Sequence, residues 1–354
     1  MDNLKQKIPS KSVIPLARKI LKFLDENKGK ISPLLILTHD YPDPDSLASA
    51  FALSHLAQNA FGISCRIVYG GIIGRPENRG MVNILQIPAY KLKPKDFRRF
   101  DHVALLDTQP VFENNSFPKN RRATIVIDQH PSVKKPEADL LILDPDCGAT
   151  SVILGQALLH AKIEIPSSVA TALAYGIVSD TLNLYRAGRP DIIQTYLGIL
   201  PYCDLQALGR IQHPQRTKSF FTTLGRGIQN GKVRRGLIVS HLGPVENPDF
   251  VSQVADFLLT YKKIEKSVTT GRYKGKLYVS LRISNPNAEA GEILRDVFSN
   301  RRDAGGHNGI AGGSFYVGEA LDKSAWEEAE RTFVERLLKK LRITVKGDFN
   351  YPFR

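Results

Sequence analysis

Apolar positions along this chain fall into two alternating patterns. Short unbroken runs rich in Leu, Ile and Val occur in ISPLLILT (31–38), SCRIVYG (64–70), HVALLD (102–107), ATIVID (123–128) and LLILD (140–144). They are too compact for helices and predict strands. Longer stretches with helical spacing lie between or after them: KSVIPLARKILKFLDENK (11–28), with Pro15 near its start, DSLASAFALSHLAQNAFG (45–62), SVILGQALLHA (151–161) and SSVATALAYGIVSD (167–180). Ser46 is a candidate cap for the second of these and Gly62 its stop. Such strands suit a mainly parallel sheet covered on both faces by helices.

After about residue 200 the pattern changes. PYCDLQALGRIQHPQRTKSF (201–220) reads as a connector with a short helix or two. GLIVSHL, SVTTGRYKG and KLYVSLRIS then predict strands, VSQVADFLLTY and GEILRDVF helices, GGHNGIAGGSFYV a glycine-dense turn entering a strand, and SAWEEAERTFVERLLKKL a final amphipathic helix. The fold class is α/β: a mainly parallel N-terminal sheet flanked by helices, and a smaller α/β C-terminal domain across a cleft. The boundaries are 1–205, a linker at 206–225, and 226–354. At 354 residues, two cores are expected.

Three of the N-terminal strands end in an aspartate, Asp107, Asp128 and Asp144. Open α/β sheets bind ligands beyond the carboxyl ends of their strands, so these acids mark one candidate site. The first strand runs into His39-Asp40-Tyr41-Pro42-Asp43-Pro44-Asp45. Crowded carboxylates raise one another's pKa, and a divalent cation removes that cost. Oxygen donors with one imidazole suit Mn²⁺, Fe²⁺, Co²⁺ or Zn²⁺. The competing reading is an acidic loop that caps the following helix. Asp107 and Asp180 are each cap or turn formers when taken alone, and join the same centre when taken together. Two ions about 3.5–4 Å apart would serve displacement at phosphorus. Asp128 and His130 lie beside that centre; His130 reads equally as a phosphate contact, a ligand or a loop residue. GGIIGRPENRG lacks a Walker or Rossmann register, and its Arg75, Glu77, Asn78 and Arg79 read as solvated loop. Further on, Arg282 sits inside a strand and Gly305, Gly306 and His307 inside a glycine cluster. They form either a phosphate clamp or an ordinary exposed sheet and turn.

Forty-nine Lys and Arg against 35 Asp and Glu give a formal charge of +14, which attracts polyanions. Three dispersed cysteines show no pairing pattern. No apolar run has membrane-spanning length, and the first residues have no apolar signal core, so a cytoplasmic protein with no membrane partner is expected.

HDYPDPD, LLDT, IDQH, GIVSD and GGHNGIAGG, in that order, resemble the motifs of the DHH phosphoesterase superfamily with its associated C-terminal domain, over about residues 30–330. The GGH ending is similar to the branch of oligoribonucleases and 3′-phosphoadenosine 5′-phosphate (pAp) phosphatases. The resemblance implies a divalent-metal enzyme, with Mn²⁺ first and Mg²⁺ or Co²⁺ as alternatives, one or two ions. The resemblance further implies action on short RNA, pAp or dinucleotides. His39, Asp43 and Asp107 match the ligands of one metal and Asp45, Asp107 and Asp180 those of the other. Asp128 and His130 match residues beside the scissile phosphate. Arg282, Gly305, Gly306 and His307 match the substrate-holding positions, with Arg282 and His130 countering charge that develops at phosphorus. Where the family has Asp-His-His, this chain has Asp128-Gln129-His130, and a neutral amide stands in for a ligand of the second metal. The alternative implied is a nucleotide-binding or sensing protein with weakened or lost hydrolysis. Sequence-specific duplex DNA binding is not expected. The pattern allows a homodimer without specifying one.

Overall fold

The computed structural model describes residues 14–132, 134–285, 288–307, 309–319, 322–344 and 348–354. The chain divides between Pro214 and Gln215 into two compact units.

In the first unit, six strands form an all-parallel sheet: β1 (Leu34–Thr38), β2 (Cys65–Tyr69), β3 (Ala89–Lys91), β4 (His102–Leu106), β5 (Ala123–Asp128) and β6 (Ala138–Leu143). Its helices are α1 (Ile14–Asn27), α2 (Pro44–Phe61), α3 (Pro76–Leu85), α4 (Asp96–Arg99), α5 (Thr150–Ala161), α6 (Ser167–Asp180), α7 (Pro190–Ile199) and α8 (Leu205–Gln212). The strand order β3-β2-β1-β4-β5-β6 places the reversal of direction between β1 and β4. That is where a doubly wound sheet opens a crevice.

Side chains alternate across β1 as a strand requires. Leu34 and Ile36 join Leu47, Leu53 and Leu56 of α2 and the apolar sides of α5 and α6, while Leu35 and Leu37 meet Val103, Leu105 and Val126 on the other face. That second face is not covered by long helices as expected. Phe100 and Phe117 close it with Phe97 of the four-residue α4, because large aromatic rings in short segments can seal a sheet that has no helix to spare. A second correction concerns Arg75–Arg79, read as solvated loop: Pro76 opens α3, Asn78 is buried, and its amide donates to the Pro42 carbonyl.

The second unit contains α9 (Lys218–Gln229), β7 (Lys232–Arg234), β8 (Leu237–Pro244), α10 (Asp249–Leu259), β9 (Lys266–Tyr273), β10 (Lys276–Ile283), α11 (Ala290–Val297), β11 (Ala304–His307), β12 (Ile310–Tyr316) and α12 (Lys323–Lys340). Its sheet runs β11-β12-β10-β9-β8-β7, antiparallel except for β8 with β9. Val251, Val254 and Leu258 of α10 pack on one face, and Leu294, Phe333 and Leu337 of α11 and α12 on the other. The glycine-dense segment is a β11–β12 hairpin rather than a turn entering a single strand. Among the described residues, no helix is long and apolar enough to cross a membrane.

Candidate metal centre

Thr38 pairs with Leu106 in the last register of β1 and β4, so the next residue of each strand, His39 and Asp107, emerges side by side at the reversal of strand order. Asp107 is left-handed, with φ 58°, its amide donating to Ile127 O at 3.0 Å. A non-glycine residue in that region is strained and must be held by its surroundings. His39 Nδ1 donates to Asp40 O at 2.9 Å, which turns Nε2 inward, 3.5 Å from Asp43 Oδ1 and 3.7 Å from Asp107 Oδ2. Asp43 is also the N-cap of α2, Oδ1 accepting from Ser46 N at 2.9 Å. Ser46, the expected cap, lies inside the helix, because Pro44 at the first helical position needs no donor and moves the start back. Gly70 leaves room for the loop, since a Cβ there would meet Asp40 Oδ1 at 1.8 Å.

Asp107 is 1% exposed. Its Oδ1 accepts from Thr150 Oγ1 at 2.8 Å, while Oδ2 is buried without a hydrogen-bond partner. An unmatched buried carboxylate oxygen is costly. His39, Asp43 and Asp107 form one group able to hold a metal ion, and Asp107, Asp128 and His130 form a second. In the first, the 3.5 and 3.7 Å separations are too long for hydrogen bonds. They are close to the roughly 3–3.6 Å between donors that share one ion at bonds of about 2.1 Å. The lone oxygen, the spacing and the mixed imidazole and carboxylate set all fit a divalent cation.

Electrostatics agree. Burial would lower the His39 imidazole, but Asp43 and Asp107 outweigh it and hold the pKa up at about 10. Burial, then the neighbouring Asp43, pushes the Asp107 carboxyl well above the usual range. Desolvation acts upward on Asp43 too, yet the His39 charge and the hydrogen bonds from His39 and Ser46 keep it below that range.

In the second group, Asp128 Oδ1 accepts from the backbone N and Nδ1 of His130, at 3.1 and 2.8 Å, and Oδ2 accepts from Gln109 Nε2 at 2.7 Å. Burial opposes a charge on His130, but the Asp128 hydrogen bond and Asp107 raise its pKa to about 9. Gln109 Nε2 also donates to His130 O at 2.9 Å, and the Gln109 backbone carbonyl accepts from Asn115 Nδ2 at 2.8 Å. Gln109, Asn115 and Thr150 were missed in the sequence because polar residues in loops carry no periodic signal.

Asp45 and Asp180 belong to neither group, and both lie against Gln129. Asp45 is fully buried, and its carboxylate accepts from Thr150 N and Ser151 N, both at 2.7 Å. It thereby supplies the N-terminal cap that Ala149 cannot give α5. Gln129 Nε2 donates to Asp180 Oδ2 at 2.6 Å and to Asp45 Oδ2 at 3.2 Å. Burial pushes both carboxyls up, Asp180 next by Asp43 and Asp45 next by Asp107. Asp144, read with the other strand-end acids, belongs to a different structure. Its two oxygens accept from Arg189 Nη1 at 2.9 and 2.8 Å, and Arg189 also pairs with Asp191 in a buried cluster.

The remaining candidates lie in the second unit. Arg282 is 5% exposed rather than on an open sheet face. It pairs through Nε with Asp256 of α10 and donates through Nη1 to Ser280 Oγ at 2.7 Å and to Leu281 O and Ala311 O. Gly305 pairs with Gly312 and Gly306 with Ala311. Gly306 has φ 151°, and α11 presses on it through Gly291, where a Cβ would meet Gly306 O at 2.1 Å. A Cβ on Gly306 itself would run into the Ile310 carbonyl and Ala311 of β12, so the close approach of the hairpin strands accounts for that glycine. The backbone of His307 ends β11; its side chain lies outside the described set.

A doubly wound sheet with imidazole and carboxylate donors at its reversal point, followed by a mixed α/β unit, defines the class of protein. Residues 33–177 match the DHH family, N-terminal domain. An uncharacterized protein of Methanocaldococcus jannaschii is 32% identical over 348 residues, 97% of this chain and 71% of the relative. The chain belongs to the DHH family. A probable manganese-dependent inorganic pyrophosphatase of Streptococcus pyogenes is 26% identical over 159 residues, 44% of this chain and 50% of that protein, so the chain spans half the length of the pyrophosphatase. In fold it is similar to an exopolyphosphatase-related protein from Bacteroides fragilis, with a TM-score of 0.69 at 16% identity over 92% of this chain and 97% of the other.

Proposed function

We propose that this protein is a Mn²⁺-dependent phosphoesterase that hydrolyses short RNA oligonucleotides or small nucleotide phosphoesters such as pAp and linear dinucleotides. The observation that carries the reading is Asp107 Oδ2, buried and unmatched, facing the Nε2 of His39. His39, Asp43 and Asp107 would hold the cation. When bound, it would polarise a phosphoryl oxygen and acidify a water molecule. His130, kept in one orientation by Asp128 and Gln109 and carrying a raised pKa, would donate a hydrogen bond or a proton to a phosphoryl oxygen. The positive net charge would draw in a short polyanion.

The test is a panel of short RNA, pAp, linear and cyclic dinucleotides, polyphosphate and pyrophosphate, each with Mn²⁺. Release of nucleoside monophosphate or phosphate is expected from the nucleotide substrates. Asp107→Asn should lower kcat/KM by at least about 100-fold and weaken Mn²⁺ uptake. Turnover of none of these compounds by Mn²⁺-loaded protein would end the proposal. A second reading, nucleotide binding with little or no hydrolysis, is favoured by the amide of Gln129 between Asp45 and Asp180. Calorimetric affinity for pAp without turnover would select it.

A further inference from the structure

The DHH relationship implies room for two cations, and the second position does not fit one. Three side chains would have to supply it beside Asp107. Asp45 has both oxygens committed to backbone N–H groups at the start of α5. Each oxygen keeps one further lone pair, so what fills the space between Asp45 and Asp180 decides whether an ion can enter. Asp180, the last residue of α6, gives Oδ2 to Gln129 at 2.6 Å. Gln129 contributes a primary amide whose single nitrogen carries two N–H donors, and two carboxylate oxygens lie at 2.6 and 3.2 Å from it. Donor number and acceptor number match. An imidazole at this position would offer a lone pair to an ion, which an amide nitrogen lacks. If the amide turned its oxygen inward instead, it would face two carboxylates oxygen to oxygen, an arrangement that needs an intervening proton or cation to be stable.

The Asp128–His130 pair does not open an alternative second position. Asp128 already accepts three hydrogen bonds, two from His130 and one from Gln109, and His130 Nδ1 is spent on one of them. That pair is built to orient an imidazole.

We infer that the Gln129 carboxamide takes the place of the second divalent cation by cross-linking Asp45 and Asp180, so that the protein holds a single ion, at His39, Asp43 and Asp107. The inference rests on the metal-dependent reading above and narrows it to one-ion chemistry. Gln129 is thus a positioning residue: it touches two acids, and through them α5 and α6.

The experiment counts ions. Chelator-stripped full-length protein is dialysed against Mn²⁺, bound metal is measured, and electron paramagnetic resonance reports whether bound Mn²⁺ ions are coupled. Wild type is expected to bind one uncoupled ion per chain. Gln129→His is expected to bind two, with the broadened signal of a coupled pair. Should that variant fail to fold, Gln129→Ala carries the same test, because removing the amide opens the space and a second ion should enter. Two coupled ions in wild type would overturn the inference while leaving the phosphoesterase reading intact. One ion in wild type and in both variants would overturn the part assigned to Gln129. One ion in wild type without turnover of any phosphoester would support the inference and remove the enzyme reading.

Discussion

His39 connects the chemistry of the centre to pH. With its pKa raised to about 10, the metal-free imidazole is protonated at neutral pH. A cation must displace that proton. Apparent Mn²⁺ affinity should therefore rise with pH, by roughly tenfold per unit, and level off above the raised pKa, with about one proton released from His39 per ion bound near neutrality. Calorimetry in buffers of different ionisation enthalpy measures that release; an affinity independent of pH would remove His39 from the ligand set. At this scale the sequence was informative where candidate donors are close in the chain, as with His39 and Asp43. It could not separate Asp107 from Asp144, since each follows an apolar strand. What distinguishes them is Arg189, 45 residues beyond Asp144, and only folding brings the two together.

Two helices show how acids of one composition serve different ends. Ala149 gives α5 no side-chain cap, so Asp45 from the first turn of α2 provides it. Asp45→Ala should cost about 2 kcal/mol, in metal-free protein as well as loaded protein, because the loss is of hydrogen bonds to a helix start. Asp144→Ala leaves Arg189, among the described residues, Asp191 as its buried ion-pair partner and should cost about 3–5 kcal/mol with Mn²⁺ stoichiometry unchanged. Urea unfolding with a metal titration on the same samples checks both. Unbroken apolar runs made five strands of the first sheet legible, because a parallel strand is covered on both faces, but not β3, a three-residue edge strand with no such run. The short segment carrying Phe97 was not legible as a cover for that sheet, since its contacts with Phe117 are set by tertiary packing.

Across the whole chain, an excess of 14 positive charges predicts salt-sensitive capture of an anionic substrate. Raising ionic strength from about 0.05 to 0.5 M should lower kcat/KM several-fold, mainly through KM, as screening shortens the reach of the field. A flat salt profile for pAp or short RNA would mean that the basic residues do not guide substrate. The division into two units was legible from length and from the change of pattern near residue 200. The division between Pro214 and Gln215 lies between α8 and α9, in the stretch of mixed polarity read as the 206–225 linker.

The turn at Ala149–Ser151 carries one more consequence. Thr150 Oγ1 holds Asp107, while the Thr150 and Ser151 amides hold Asp45, so a single start of helix fixes acids that arrive from two separate elements. Since α5 is buried along most of its length, the work of bringing like charges together is done when the core assembles. An arriving ion would then meet Asp107 already fixed in place, and its binding energy would go into coordination rather than into ordering that acid.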